Sequence, residues 1–362
     1  MKRSKLSSRV AFLAATALMA LSTSSHAETF TLTFASGFPP VIPSTATIIN
    51  TFLPGVNAEL EAMGSEHRVE WNVAAAGSLA GLPAILDVTR DGIADVAELG
   101  AIFEPNRLPL TNVGYVTPFT TTDLRVATLA VDSMIKSMPA LQEEWAQHGL
   151  VYLTGFAIDN YVLMSKEPIE TVDALNGQKV GVAGINTNWL DGTGAVGVIT
   201  SFGTAYNDLQ TGVFTSTIVP FLGGASINLQ EVAPYAMKVE FGSMFQGGLV
   251  VSQSRWDTLP EEVKTAMKKS ADKFQQRYLE VMDTAVDAAE KKYVAGGGKI
   301  VEFPEAERVK WATKLEDLAA NWAAPLEERG LAARDVLGSF MDYQRANNDK
   351  VLVNWDQVGF DQ

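Results

Sequence analysis

Polar and apolar residues alternate in the first patterned segment, Thr29-Phe30-Thr31-Leu32-Thr33-Phe34, which predicts a β-strand with its Phe and Leu side chains on one face. A turn-rich loop follows at Ala35-Ser36-Gly37-Phe38-Pro39-Pro40. Over 45–63 the apolar positions recur at helical spacing, with Pro54 marking a kink or break. Residues 69–73 read as a strand, 82–90 as a helix and 93–99 as a strand. Strands alternating with helices predict a mostly parallel sheet.

The theme restarts mid-chain. Strands are predicted over 149–156, 161–165 and 179–183, with a short helical turn at 171–175. A helix over 206–211 stops at Gly212, a residue suited to a left-handed cap. One late strand, 245–252, precedes a run of helices over 261–294, 305–328 and 332–346. No repeat of 20–50 residues appears.

The N-terminus decides the compartment. Lys2, Arg3, Lys5 and Arg9 precede an apolar stretch at 10–21, and Ser25-His26-Ala27 supplies small residues at the −3 and −1 positions. This predicts a signal peptide over 1–27, cleaved after Ala27; the stretch falls short of the roughly twenty apolar residues that span a bilayer. The remaining 335 or so residues exceed what one core usually serves, so two lobes are expected. The chain has no cysteine, which excludes disulfides, thiol catalysis and a lipid-modified cysteine anchor. A soluble, untethered exported protein points to a Gram-negative periplasm.

Charge narrows the partners. The chain has 28 basic and 42 acidic residues, and four of the basic ones lie in the leader, so residues 28–362 carry −18. Such a surface is repelled by nucleic acids and anionic lipids. Catalytic signatures are missing: no Gly-x-Ser-x-Gly elbow, no His-Glu-x-x-His helix and no phosphate-binding lysine loop. Beyond the leader only His67 and His148 remain. No enzyme activity, cofactor or metal is therefore expected. Gly192-Thr193-Gly194-Ala195-Val196-Gly197 fits G-x-G-x-x-G, but a helix precedes it and a strand follows, the reverse of a dinucleotide site.

Five segments in order resemble the TRAP-transporter receptor family, the DctP-type periplasmic solute-binding proteins. They are Ala76-Gly77-Ser78-Leu79-Ala80-Gly81, Arg90-Asp91-Gly92-Ile93-Ala94-Asp95, the Pro168-Ile169 to Val180 segment, Ala205-Tyr206-Asn207-Asp208-Leu209-Gln210-Thr211-Gly212-Val213, and Trp256-Asp257-Thr258-Leu259-Pro260-Glu261-Glu262. The resemblance implies a two-lobed α/β fold with a mostly parallel sheet in each lobe and long C-terminal helices bridging them. Lobe I then takes 28–157 with 245–285, and lobe II takes 158–244 with 286–362. A solute, an organic acid in the main reading, sits between the lobes, and the closed monomer docks on the membrane permease. An ABC-type or sensory receptor, or a TRAP receptor for an amine or neutral solute, shares this architecture.

The binding pattern departs from the family. Its carboxylate-gripping arginine position falls on Gly181, a second basic position on Tyr161, and a polar position near Val219. Hydrogen bonds to a charged group are worth about 1.5–3 kcal/mol each, against about 8 kcal/mol for micromolar binding. Either another cation (Lys179, Arg107 or Arg125) takes over, or the solute is bulkier and less charged than a small dicarboxylate, for example an aromatic or keto monoacid. Tyr161, Trp189, Phe202, Phe38 and Phe221 are candidate walls, with Asn186 and Asn188 as polar contacts. Glu98, at the end of a strand, would favour a cationic ligand if it faced the cleft.

Overall fold

In the computed structural model, which describes residues 27–348 and 351–360, the strands are β1 (Thr29–Ser36), β2 (Arg68–Ala74), β3 (Val96–Gly100), β4 (Leu150–Ile158), β5 (Tyr161–Ser165), β6 (Lys179–Val182), β7 (Val196–Ile199), β8 (Ser216–Pro220), β9 (Tyr235–Lys238), β10 (Met244–Ser252) and β11 (Lys299–Glu302). The predicted leader lies outside the described residues except for Ala27. One sheet has the order β2-β1-β3-β10-β4, the other β11-β9-β5-β8-β6-β7. Each is parallel apart from one strand. β10 runs antiparallel to β3 and β4, and β5 antiparallel to β8 and β9.

Those two antiparallel strands are the ones the chain enters on crossing between sheets. Residues 159–160 lead from β4 into β5, and 239–243 lead from β9 back into β10. The crossovers hold each other: Tyr161 N–H donates to Gly242 O (3.1 Å), and Gly242 N–H donates to Asn160 Oδ1 (2.9 Å). Phe119 and Glu240, beside the second crossover, have φ of 64° and 58°, a left-handed backbone that costs energy for residues with a side chain.

The 35-residue helix Glu261–Ala295 ties the sheets together. Its first half packs on helix Leu53–Ala62 and β4, its last turns on helix Phe221–Ser226 and β11. Residues 43–62 form helical turns with a π-turn at Ile48–Phe52, just before Pro54. The Phe52 and Leu53 carbonyls are taken by Ser270 Oγ and Trp71 Nε1. Helices Leu318–Glu328 and Ala333–Asn347 lie against the 3₁₀ segment Thr111–Val116, and the latter also against helix Leu124–Ser137, on the first sheet's flank. The sequence division gave all of 286–362 to the second lobe. An amphipathic pattern says that a helix buries one face, not which neighbour covers it.

Candidate functional site

The carboxyl ends of the parallel strands in both sheets meet at the crossovers. β1 ends at Ser36 opposite Glu98, and Tyr161, opening β5, pairs with Pro220 at the end of β8. Open α/β sheets place ligand groups at this edge. On the first sheet the edge carries Phe38 and Phe103, rings 6.2 Å apart. Leu79, in the following loop, is 38% exposed. On the second sheet Phe202 is 45% exposed and lies over Gly223, its ring 2.6 Å from where a Cβ would stand.

At the root of this cleft lies an aromatic stack. Trp189 contacts Tyr161 edge-on at 5.1 Å and stacks on Phe241 at 5.1 Å and Tyr115 at 6.3 Å. Its indole N–H donates to Tyr115 O (2.7 Å), and Trp311 donates to Trp189 O (2.7 Å). Within the stack Tyr115 Oη and both amide atoms of Asn186 are buried without a hydrogen-bond partner among the described residues. A buried group left so costs about 1–3 kcal/mol. Burial pushes the Tyr161 hydroxyl up to about 12, opposed by the Tyr115 hydroxyl and the Asn186 amide beside it. Burial also drives the Tyr115 hydroxyl well above its ordinary value.

Two buried carboxyls hold the frame. Glu144 accepts from the N–H groups of Leu110 (2.6 Å) and Thr111 (2.8 Å) and from Thr111 Oγ1 (2.6 Å), fixing the segment that carries Tyr115. Asp159, in the first crossover, accepts from Leu222 N–H (2.7 Å). Burial lifts both carboxyls to about 7.

A family model described as a bacterial extracellular solute-binding protein, family 7 (DctP), matches residues 42–325. The chain belongs to this family. Among curated proteins none matches the sequence. Of solved structures similar to this family-7 protein, a TRAP periplasmic solute-binding protein from Desulfovibrio salexigens, in an open complex, has a TM-score of 0.76 at 20% identity, covering 89% of this chain and 97% of its own. A marine-metagenome TRAP protein specific for aromatic acids, in complex with metahydroxyphenylacetate, has a TM-score of 0.75 at 22% identity, covering 89% and 100%. One from Chromohalobacter salexigens with bound D-glucuronate has a TM-score of 0.72 at 21% identity, covering 88% and 100%. At these identities the likeness speaks for the fold alone.

The candidate residues of this family-7 chain divide by the face they occupy. Tyr161, Asn186 and Trp189 come together. Phe38 and Phe202 lie at the cleft edges; Phe38 is largely buried beside Phe103. Gly181 leaves no space: a Cβ there would stand 2.6–2.7 Å from the Phe214 ring. Alternation in the sheet puts Gly181 and Val219 on the face opposite Tyr161, and Val219 and Phe221 are packed in the second sheet's own core. Asn188 lines a different cavity of about 400 Å³ with Lys314, Asp317 and Trp322.

The charged candidates are already engaged. Glu98 is fully buried and accepts from Ser36 (2.7 Å), Ser44 (2.5 Å) and Thr45 (2.6 Å) hydroxyls, while burial raises its pKa against those bonds. Ser36 Oγ in turn accepts Phe38 N–H (3.0 Å), so Glu98 anchors the Phe38 loop. Arg107 is held by Glu104 and Asp87, and Arg125 faces Asp283. Lys179 opens β6 at the end remote from the cleft. His148 meets the Arg107 carbonyl (2.8 Å), and the His67 ring packs on Phe30. Residues 192–195 lie in the loop after the 3₁₀ segment Gly184–Leu190, and 196–197 open β7, the order expected of a helix-ending turn. Tyr115 was not a candidate from sequence: Asn112-Val113-Gly114-Tyr115-Val116 has no period that marks it.

Proposed function

We propose that this chain is the extracytoplasmic receptor of a TRAP-type secondary transporter, capturing a ring-bearing organic acid and delivering it unconverted to a membrane permease. The observation that carries the reading is the cleft itself. Two sheets meet by their carboxyl edges across two short crossovers, with part-exposed apolar side chains on both walls and unpaired polar atoms at the root. Exposed apolar walls favour a ring, at about 25 cal/mol per Å² of apolar surface covered. The loss of the family's arginine position to a glycine in the core weighs against small dicarboxylates. The bound hydroxylated aromatic acid and uronate of the two structural relatives are both ring acids.

In this reading the leader is cleaved after Ala27 and the monomeric receptor works in the periplasm. The moving bodies are 28–157 with 245–285 and 158–244 with 286–362, except that helices Leu318–Glu328 and Ala333–Asn347 travel with the first body, on which they pack. Solute bridging the two bodies favours the closed form, and the permease recognises that form. Calorimetry with benzoate, mandelate, glucuronate, succinate and malate tests the proposal. The expected result is tight binding of at least one ring acid, with succinate and malate weak or silent. Tight succinate binding with no ring acid bound refutes it.

A further inference from the structure

The polar atoms at the root of the cleft are neutral, and they are of both kinds. Tyr115 and Tyr161 offer hydroxyls that donate or accept, and Asn186 offers an amide with two donors and an acceptor. The two phenol rings meet edge to face at 6.3 Å, and Trp189 packs against both. Tyr115 and Asn186 are each at least 99% buried and unpaired among the described residues. The groups acting on the two phenols are each other, Asn186 and the Asp159 carboxyl, with no cation among them.

A carboxylate placed here would lose its water without gaining a positive partner, and it would face Asp159. Burying an unpaired charge is the costliest choice open to a binding site. A hydroxyl or carbonyl oxygen carries no such penalty. A hydroxyl can donate to Asn186 Oδ1 while accepting from a phenol or from Nδ2, satisfying groups to which the fold offers at most the Tyr161 hydroxyl. Folded proteins rarely leave buried polar groups without a partner, whether protein, water, ion or ligand.

We propose that Tyr115, Tyr161 and Asn186 form a cage for an uncharged oxygen on the solute's ring, leaving its carboxylate toward the mouth of the cleft. The solute class is then a hydroxy- or oxo-substituted ring acid. This inference rests on the ring-acid reading above and adds a specificity rule to it. Access follows from the architecture, because Tyr115 belongs to the first sheet's flank whereas Tyr161 and Asn186 belong to the second, so parting of the lobes opens the cage.

The test is calorimetry of benzoate and its 2-, 3- and 4-hydroxy forms with the full-length mature protein and its Tyr161→Phe and Tyr115→Phe variants. One hydroxylated isomer should bind about tenfold or more tighter than benzoate, and each variant should cut that ratio to roughly threefold or less. Tyr115→Phe removes an unpaired hydroxyl, so its melting temperature without solute should hold or rise; a variant that melts normally yet loses benzoate along with its hydroxylated forms overturns the cage. Benzoate bound as tightly as every hydroxylated form overturns the cage while leaving the ring-acid reading standing. A preference for one isomer that survives in both variants overturns it as well. Binding of no ring acid at all overturns both.

Discussion

At the scale of single residues, a side chain's meaning depends on which face of its strand it occupies. Gly181 is the position at which the family resemblance predicts an arginine, yet the ring of Phe214 fills the space of its missing Cβ, so the position belongs to the core. Gly181→Ala should cost about 1–3 kcal/mol by overpacking, measured by urea denaturation. Trimming the ring in Gly181→Ala/Phe214→Leu should return part of that loss, a non-additivity expected of touching neighbours. Gly181→Arg should unfold the protein, not create a succinate site. Glu98 shows the same lesson with charge. A carboxylate at a strand's end suggested a cationic ligand, but three hydroxyls already satisfy it.

At the scale of elements, period and punctuation made most of the architecture legible. The strand at 29–34, the left-handed stop at Gly212 (φ 79°) and the long helix from Glu261 all form where the pattern placed them. Strands of four or five residues, such as β8, β9 and β11, carry too few positions for a period to declare itself. Residues 101–122 were equally silent, and there 3₁₀ turns are pinned by Glu144 from a neighbouring helix. That anchoring, together with Asp159 in the crossover, gives the fold a pH dependence. Both carboxyls rise to about 7 in the folded state, so the folded form binds protons more tightly than the unfolded chain. Their contribution is fully present below the unfolded pKa near 4 and is lost as pH climbs through 7. The melting temperature should therefore be higher at pH 5 than at pH 8, and Asp159→Asn should flatten the difference.

At the scale of the whole molecule, function depends on how two bodies share one boundary. The crossovers at 159–160 and 239–243 keep the sheets' carboxyl edges opposed, and the helix Glu261–Ala295 spans both. The charge of −18 on residues 28–362 surrounds that boundary with a field that repels an anionic solute. Salt screens such a field over about 10 Å at 0.1 M. Association of an organic acid should thus speed up as salt rises from about 10 to 200 mM, measured by stopped-flow tryptophan fluorescence; a rate that falls would mean that a local positive focus outweighs the global field. By itself the sequence determined the α/β alternation and the family pattern, because these are written in short-range order, composition and matched motifs. Only tertiary structure decided that Gly181 and Glu98 are occupied by their own neighbours and that Tyr115, Tyr161 and Asn186 converge. Convergence joins residues some seventy positions apart, and no local pattern of hydrophobicity records which distant polar atoms will be left facing one another.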